Sequence, residues 1–207
     1  MKMNETIKKT LENLKKHNID ARFVANREEA LREALPLIPR GARVGLGGSQ
    51  TVREIGLLDA LRTGDYKLVD QYEEGISKEE NMRRRLEGTR CEVFISGTNA
   101  VTEDGALVNI DGMGNRTSAI AFGPSKVIIV VGRNKIVKDV AAGLERAQKY
   151  VAPRNAKRFG VGTPCVESGE CSDCSHPDRI CNIYSIVKRQ WLPGRITVII
   201  VDEDLGM

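Results

Sequence analysis

Apolar and polar positions along the chain switch repeatedly between a helical and an extended period. Leu11 and Leu14 fall on one face of an N-terminal amphipathic helix within "MKMNETIKKTLENLKKHNID". "DARFVAN" then reads as a strand, and "REEALREALPLI" as a helix ended by Pro36 and Pro39. "ARVGLGG" is a short buried strand running into a glycine turn. "TVREIGLLDALRTG" predicts a helix with Gly64 near its C-cap, and "YKLVDQY" the next strand. "SKEENMRRRLEGT" predicts a charged helix starting at Ser77 or Lys78.

"CEVFISGT" and "KVIIVVG" are too continuously apolar to have a wet face, so they predict central parallel strands covered on both sides. Between them, "AVTEDGALVNI" predicts a turn at Asp104-Gly105 plus a short strand. "DGMGNR" is a second glycine loop, and "TSAIAF" a short helix. "VKDVAAGLERAQKYV" predicts a helix running to Pro153. Two C-terminal strands, "CNIYSIVKR" and "RITVIIVDED", are joined by "QWLPG" and are expected to pair with each other or lie at the sheet edge. The βαβα order implies an α/β fold: a mainly parallel open sheet with helices on both faces and a C-terminal strand pair. No repeat or linker divides the chain, so residues 1–207 are expected to form one domain.

Composition narrows the function classes. Lys and Arg number 32 against 28 Asp and Glu, and the formal net charge is +4. The basic residues are scattered among acidic ones, and aromatic residues are only 4% of the chain. Neither a basic stripe nor a base-stacking surface is evident, so no nucleic-acid partner is expected. No apolar run reaches bilayer-spanning length, and the polar N-terminal helix lacks the apolar centre of a signal peptide. The expected location is cytoplasmic, away from membranes.

Three glycine-containing segments carry candidate chemistry. "VGLGGSQT" follows a strand and opens a helix, the place where anions bind in open α/β sheets. Gly47 and Gly48 let backbone approach a ligand there, and Ser49 and Thr51 add hydroxyls. The segment is no Walker loop, and Gln50 stands at the third glycine position of a dinucleotide fingerprint. Asp70 sits where a ribose-binding acid would, which keeps a nucleotide reading open beside that of a plain turn. "TNAVTEDGALVNIDGMGNR" gathers Glu103, Asp104, Asn109, Asp111, Asn115 and Arg116 after a buried strand. Carboxylates beside amides and an arginine suit proton transfer and the clamping of an acidic substrate. Asp104-Gly105 and Asp111-Gly112 are equally ordinary turn pairs. In "GRNKIV", Lys135 is placed to reach an anion at the same sheet edge, and a solvated loop lysine is the equal alternative.

The thiols are concentrated elsewhere. "GTPCVESGECSDCSHPDRIC" spans 162–181 with the spacing C-x5-C-x2-C-x6-C: Cys165, Cys171, Cys174 and Cys181. The central C-x-x-C is a bidentate clip for a thiolate-seeking metal, and the outer pair completes a four-thiolate set. Such a set suits Zn²⁺ or a [4Fe–4S] cluster. Neither a ferredoxin run nor a regular zinc ribbon has this spacing. Unligated reduced thiols and a disulfide staple are the competing readings. Disulfides are rare in the cytosol. His176 is expected to be a loop residue, Arg179 a donor toward the sulfurs, and Cys91 a small core residue.

"VGLGGSQTVREIG", "GTNAVTEDGALVNIDGMGNR" and "FGPSKVIIVVGRNKIV", in this order, resemble the LUD domain family, which includes bacterial lactate-utilisation C proteins. The resemblance implies a fold like that of ribose-5-phosphate isomerase, glucosamine-6-phosphate deaminase and coenzyme A transferases. It also implies a substrate over the strand ends against Gly47, Gly48, Ser49 and Thr51. "TEDG" resembles the stretch bearing the glutamate of coenzyme A transferases, which maps that role onto Glu103. The family is associated with oxidation of L-lactate to pyruvate together with iron–sulfur partner subunits. That association favours a cluster over zinc at the cysteines. The cysteine stretch itself resembles loops of stand-alone LUD proteins and departs from the plainer lactate-utilisation C pattern.

Three functions follow as expectations. The first is a redox accessory subunit for lactate or organic-acid utilisation, binding a small anionic metabolite at the glycine loops and an inorganic centre at the cysteines. The second is an isomerase or acyl/coenzyme A transferase with Glu103 or Asp111 as base or nucleophile and a structural metal. The third is a non-catalytic ligand-binding scaffold. Whether the chain is an enzyme stays open among them.

Overall fold

A computed structural model of the protein describes residues 3–207. Helix α1 (Glu5–Lys16) is capped by Asn4, whose side chain accepts from Thr6 N, and it buries Ile7, Leu11 and Leu14. Strand β1 (Asp20–Val24) follows, then α2 (Arg27–Ala34), which passes into a 3₁₀ turn at Leu35–Leu37. Strand β2 (Arg43–Leu46) leads to α3 (Gln50–Glu54) and α4 (Leu57–Thr63). The single helix expected over this stretch is thus broken. The break is Gly56, whose φ of +74° is left-handed and ends α3 before α4 begins.

Strand β3 (Lys67–Val69), α5 (Lys78–Gly88) and β4 (Val93–Ser96) come next, with Ser77 capping α5 through Glu80 N. Around Asp104-Gly105 the chain makes two strands where one was expected: β5 (Ala100–Thr102) and β6 (Leu107–Asp111), an antiparallel pair. Helix α6 (Asn115–Ala121), β7 (Lys126–Gly132), β8 (Ile136–Val137) and α7 (Val140–Glu145) follow. The helix expected to stop at Pro153 does not stop. A π-helical turn over Arg146–Val151 joins α7 to α8 (Ala152–Phe159). Pro153 directly follows the π-helical turn, a place where a helix takes up the irregularity a proline imposes. Last come α9 (Cys165–Ser168), β9 (Ile183–Val187) and β10 (Ile196–Val201).

Six strands form a parallel sheet in the order β1-β10-β7-β4-β2-β3. β7 and β10 lie inside it, and their side chains alternate between two buried faces. Ile128, Val130, Ile199 and Val201 join the core under α2 and α4. Ile129, Val131, Val198 and Ile200 join the core under α1 and α6. Each fully buried Val or Ile contributes about 1.5–3 kcal/mol, so these two strands anchor the domain.

A second sheet has the order β8-β5-β6-β9. The two C-terminal strands therefore do not pair with each other. β9 lies antiparallel against β6 at the edge of the small sheet, and β10 is parallel between β1 and β7. Their compositions explain the separation. "ITVIIV" is apolar on both faces and needs a covered position, whereas β9 leaves Ile183, Tyr184 and Ile186 partly exposed.

Candidate ligand cleft and cysteine loop

The sheet order places a crevice before any side chain is considered. From β2 the chain runs to β3 on one side, then crosses back to β4 on the other. Connections diverge there, and the space over the carboxyl ends of β2 and β4 stays open. A cleft of about 620 Å³ occupies it. Its floor is the turn after β2 (Gly47–Gln50) and the segment after β4 (Ser96–Asn99). These two turns touch so closely that side chains are excluded. A Cβ at Gly47 would collide with Ser96, and one at Gly48 with the Tyr72 hydroxyl. Gly48 also has φ +69°. Ser49 caps α3 by accepting from Val52 N at 3.3 Å.

Arg116, 9% exposed, lines the cleft. It donates to Ile110 O at 2.7 Å, to Asn99 Oδ1 at 3.2 Å, and to Asn109 Oδ1. Burial pulls its pKa down, while Asp111 and Tyr72 act the other way. Most of its donors are thus spent on tying α6 to strand β6 and to the segment after β4. Asp111 lines the cleft and accepts from Arg116 N at 3.1 Å and Thr117 N at 3.0 Å, which caps α6. Asn115 also lines it. Lys135 is 5% exposed and donates to Thr51 Oγ1 at 2.9 Å. Burial, with Arg146 and Arg116 adding to it against Glu54, lowers its pKa to about 7.

Not every expected residue arrives at this cleft. Thr51 is fully buried behind it, donating to Leu205 O at 3.3 Å. Glu103 does not line it. Its carboxylate lies on the turn between β5 and β6, 2.9 Å from Lys9 Nζ of α1. Asp70 is held by Arg62 Nε and Nη2 at 2.8 and 2.7 Å and does not line it either.

Other lining residues were not singled out from sequence. Lys78 and Arg85 come from the α5 segment, and Arg158 from α8. The cleft thus carries five basic side chains (Lys78, Arg85, Arg116, Lys135, Arg158) against one carboxylate, Asp111. Among the described residues, Lys78, Arg85, Lys135 and Arg158 make no salt bridge. Arg158 was hidden because its helix was expected to end earlier. Arg85 was hidden in a charge run that gives no clue to which face points inward.

The cysteine loop folds back on α8. Cys165, Cys171, Cys174 and Cys181 line one small cavity of about 10 Å³, with Ala152 and Ala156 behind them. Between Cys171 and Cys174, Asp173 has φ +48°, and its N–H points at Cys171 Sγ, 3.4 Å away. Thr163 Oγ1 is 3.3 Å from Cys165 Sγ. Arg179 ties the loop by donating to Cys174 O at 2.5 Å, Cys181 O at 3.1 Å and Asp173 Oδ1 at 2.7 Å. Burial raises the Cys181 thiol, with Arg179 opposing and Cys171 and Cys174 adding to it. No disulfide joins any of the five cysteines, and Cys91 is a buried core residue. Among the described residues, no three of His, Cys, Asp and Glu are grouped closely enough to hold a metal ion as they stand.

The loop and the cleft share a wall. Ile180 lines both cavities. Asn182 N donates to Asp111 O at 3.0 Å, and its side chain to Gly112 O at 3.2 Å.

A mainly parallel sheet flanked by helices, with a cationic cleft over its strand ends, defines the class of α/β protein. The chain belongs to the LUD domain family, whose pattern it matches over residues 7–201. Among solved structures it is similar to a DUF162 family protein from Deinococcus radiodurans, at 16% identity and TM-score 0.52. That match covers 95% of this chain and 96% of the other. It is also similar to ribose 5-phosphate isomerase A from Neisseria gonorrhoeae (17% identity, TM-score 0.36, 55% and 54% of the two chains). The corresponding isomerase of Methanocaldococcus jannaschii stands at 18% identity and TM-score 0.37, over 65% and 66%. No curated protein sequence matches the chain. No helix among the described residues is long and apolar enough to cross a membrane.

Proposed function

We propose that the protein is a redox accessory subunit for organic-acid utilisation, in keeping with the LUD family name. It binds a small organic anion in the strand-end cleft and a thiolate-held inorganic centre in the cysteine loop. The observation that carries this reading is the shared wall: four sulfurs face one cavity, and the residue beside Cys181 also lines the cationic cleft. Iron–sulfur partner proteins are the electron acceptors or donors this reading expects.

The cysteine set fits such a centre in donor chemistry and in its N–H···S contact to Cys171. A cavity of about 10 Å³ is of the size that holds a single small occupant, so a four-iron cluster requires the loop to open around it. The isomerase or transferase reading is supported less. Glu103 lies outside the cleft, and the Asp111 carboxylate is engaged in capping α6.

Anaerobic purification followed by iron, sulfide and zinc analysis tests the proposal. Near-stoichiometric iron and sulfide, with visible absorbance that bleaches on reduction and is lost in Cys171→Ser, is the expected result. Stoichiometric zinc would turn the loop into a structural wall of the cleft and remove the redox role. Metal-free protein with four reactive thiols would remove the inorganic centre altogether.

A further inference from the structure

Lys135 combines three properties that an anion-clamping lysine does not need. It is almost wholly buried yet lines the cleft, at the carboxyl end of the central strand β7. It makes no salt bridge among the described residues, although Glu54 is near enough to influence it. Its recorded hydrogen bond runs to Thr51 Oγ1, whose own proton is directed to Leu205 O. The lysine must therefore donate in that bond, and a neutral amine there keeps its lone pair unspent. A lysine meant to hold an anion works best as an exposed, fully charged ammonium. A desolvated amine beside other cations is instead the arrangement that makes lysine a nucleophile.

We propose that Lys135 is a reactive amine that forms an imine with a small carboxylic acid bearing an aldehyde or ketone. The inference rests on the cleft being an anion site, and it adds the substrate class. Arg85 and Arg158 supply charge for the carboxylate, with Gly48 and Ser49 at the floor. Lys135 Nζ then adds to the carbonyl carbon. The C–N bond forms, the carbonyl oxygen leaves as water, and the two amine protons go with it. No oxidant is needed. Burial and the neighbouring Arg146 and Arg116 hold the amine near neutrality, against Glu54, so a usable neutral fraction is present at about pH 7. An exposed lysine has that fraction only near about pH 10.

The experiment is borohydride trapping on the full chain with glyoxylate and with pyruvate, lactate serving as the carbonyl-free control. Sites are read by peptide mass mapping, and binding is read separately as protection from heat. The expected result is label on Lys135 at roughly tenfold or more above the average exposed lysine at neutral pH. Lys135→Arg removes that label. Protection by both acids with no label at Lys135 overturns the imine and leaves the anion cleft standing. Label spread evenly over surface lysines overturns it as well. If neither protection nor label appears, the anion reading falls together with the inference. Lys135→Met, which keeps the packing, serves if the arginine variant fails to fold.

Discussion

The cleft and the cysteine loop lie against each other but are built on different principles. The cleft is framed by the ends of buried strands and by Arg116, whose hydrogen bonds reach both strand β6 and the segment after β4. Its shape is a consequence of the core, and it stands ready before any ligand enters. The cysteine loop has one short helix, α9, and rests on Arg179, a few backbone bonds and its contact with α8. Its sulfurs converge on one cavity without reaching metal-coordination spacing. One site is preorganised by folding. The other leaves its sulfurs apart, and Ile180 and Asn182 connect it to the cleft wall.

The largest expected effect is on the rigid side. Arg116→Met removes one buried donor each from Ile110 O, Asn99 Oδ1 and Asn109 Oδ1, of which the last two keep a backbone N–H, and should cost about 2–4 kcal/mol in urea unfolding. An effect below about 1 kcal/mol would show that the cleft is not held by this residue.

Lys135→Met should stabilise the protein, with a pH signature. The folded pKa, about 7, lies below the unfolded value near 10.5. The burial penalty is therefore fully present below about pH 7 and is relieved as pH rises toward about 10. The variant should gain about 1–3 kcal/mol at pH 6 and little at the alkaline end. A pH-independent difference in chemical denaturation would place the amine in a more solvated setting.

Arg179→Ala addresses the soft side. Global stability should change by no more than about 1 kcal/mol, while amide exchange and proteolysis between Cys165 and Cys181 should rise. Cooperative loss of the whole fold would make the loop part of the core and erase the contrast. Glu103→Ala should be smallest, no more than about 0.5 kcal/mol, because its ion pair with Lys9 is solvated. A loss of ligand protection in that variant would bring Glu103 back into the site.

The central strands were legible in the sequence because "VFIS" and "KVIIVVG" have no polar face to offer water. The glycine turn at the strand ends was legible because Gly47 and Gly48 stand between a strand and a helix cap. The two C-terminal strands were visible, but their separation into different sheets was not. Adjacency in sequence favours pairing, and only the need of β10 for cover on both faces overrides it. Lys135, Asp111 and Arg116 were visible as candidates through their place after strands. Arg85 and Arg158 were not, since a charged helix does not reveal which of its faces a distant element leaves open.

What the sequence by itself determined is therefore the local alphabet: helix caps, apolar strands, glycine turns and a four-cysteine segment. Each depends on residues a few positions apart. The tertiary structure alone decided which of these meet. It put Glu103 against α1 and away from the cleft, turned Arg158 inward, and set the sulfurs behind the wall of the cationic cleft. Such meetings depend on the packing of elements far apart in the chain, and that packing is set by the burial of whole faces.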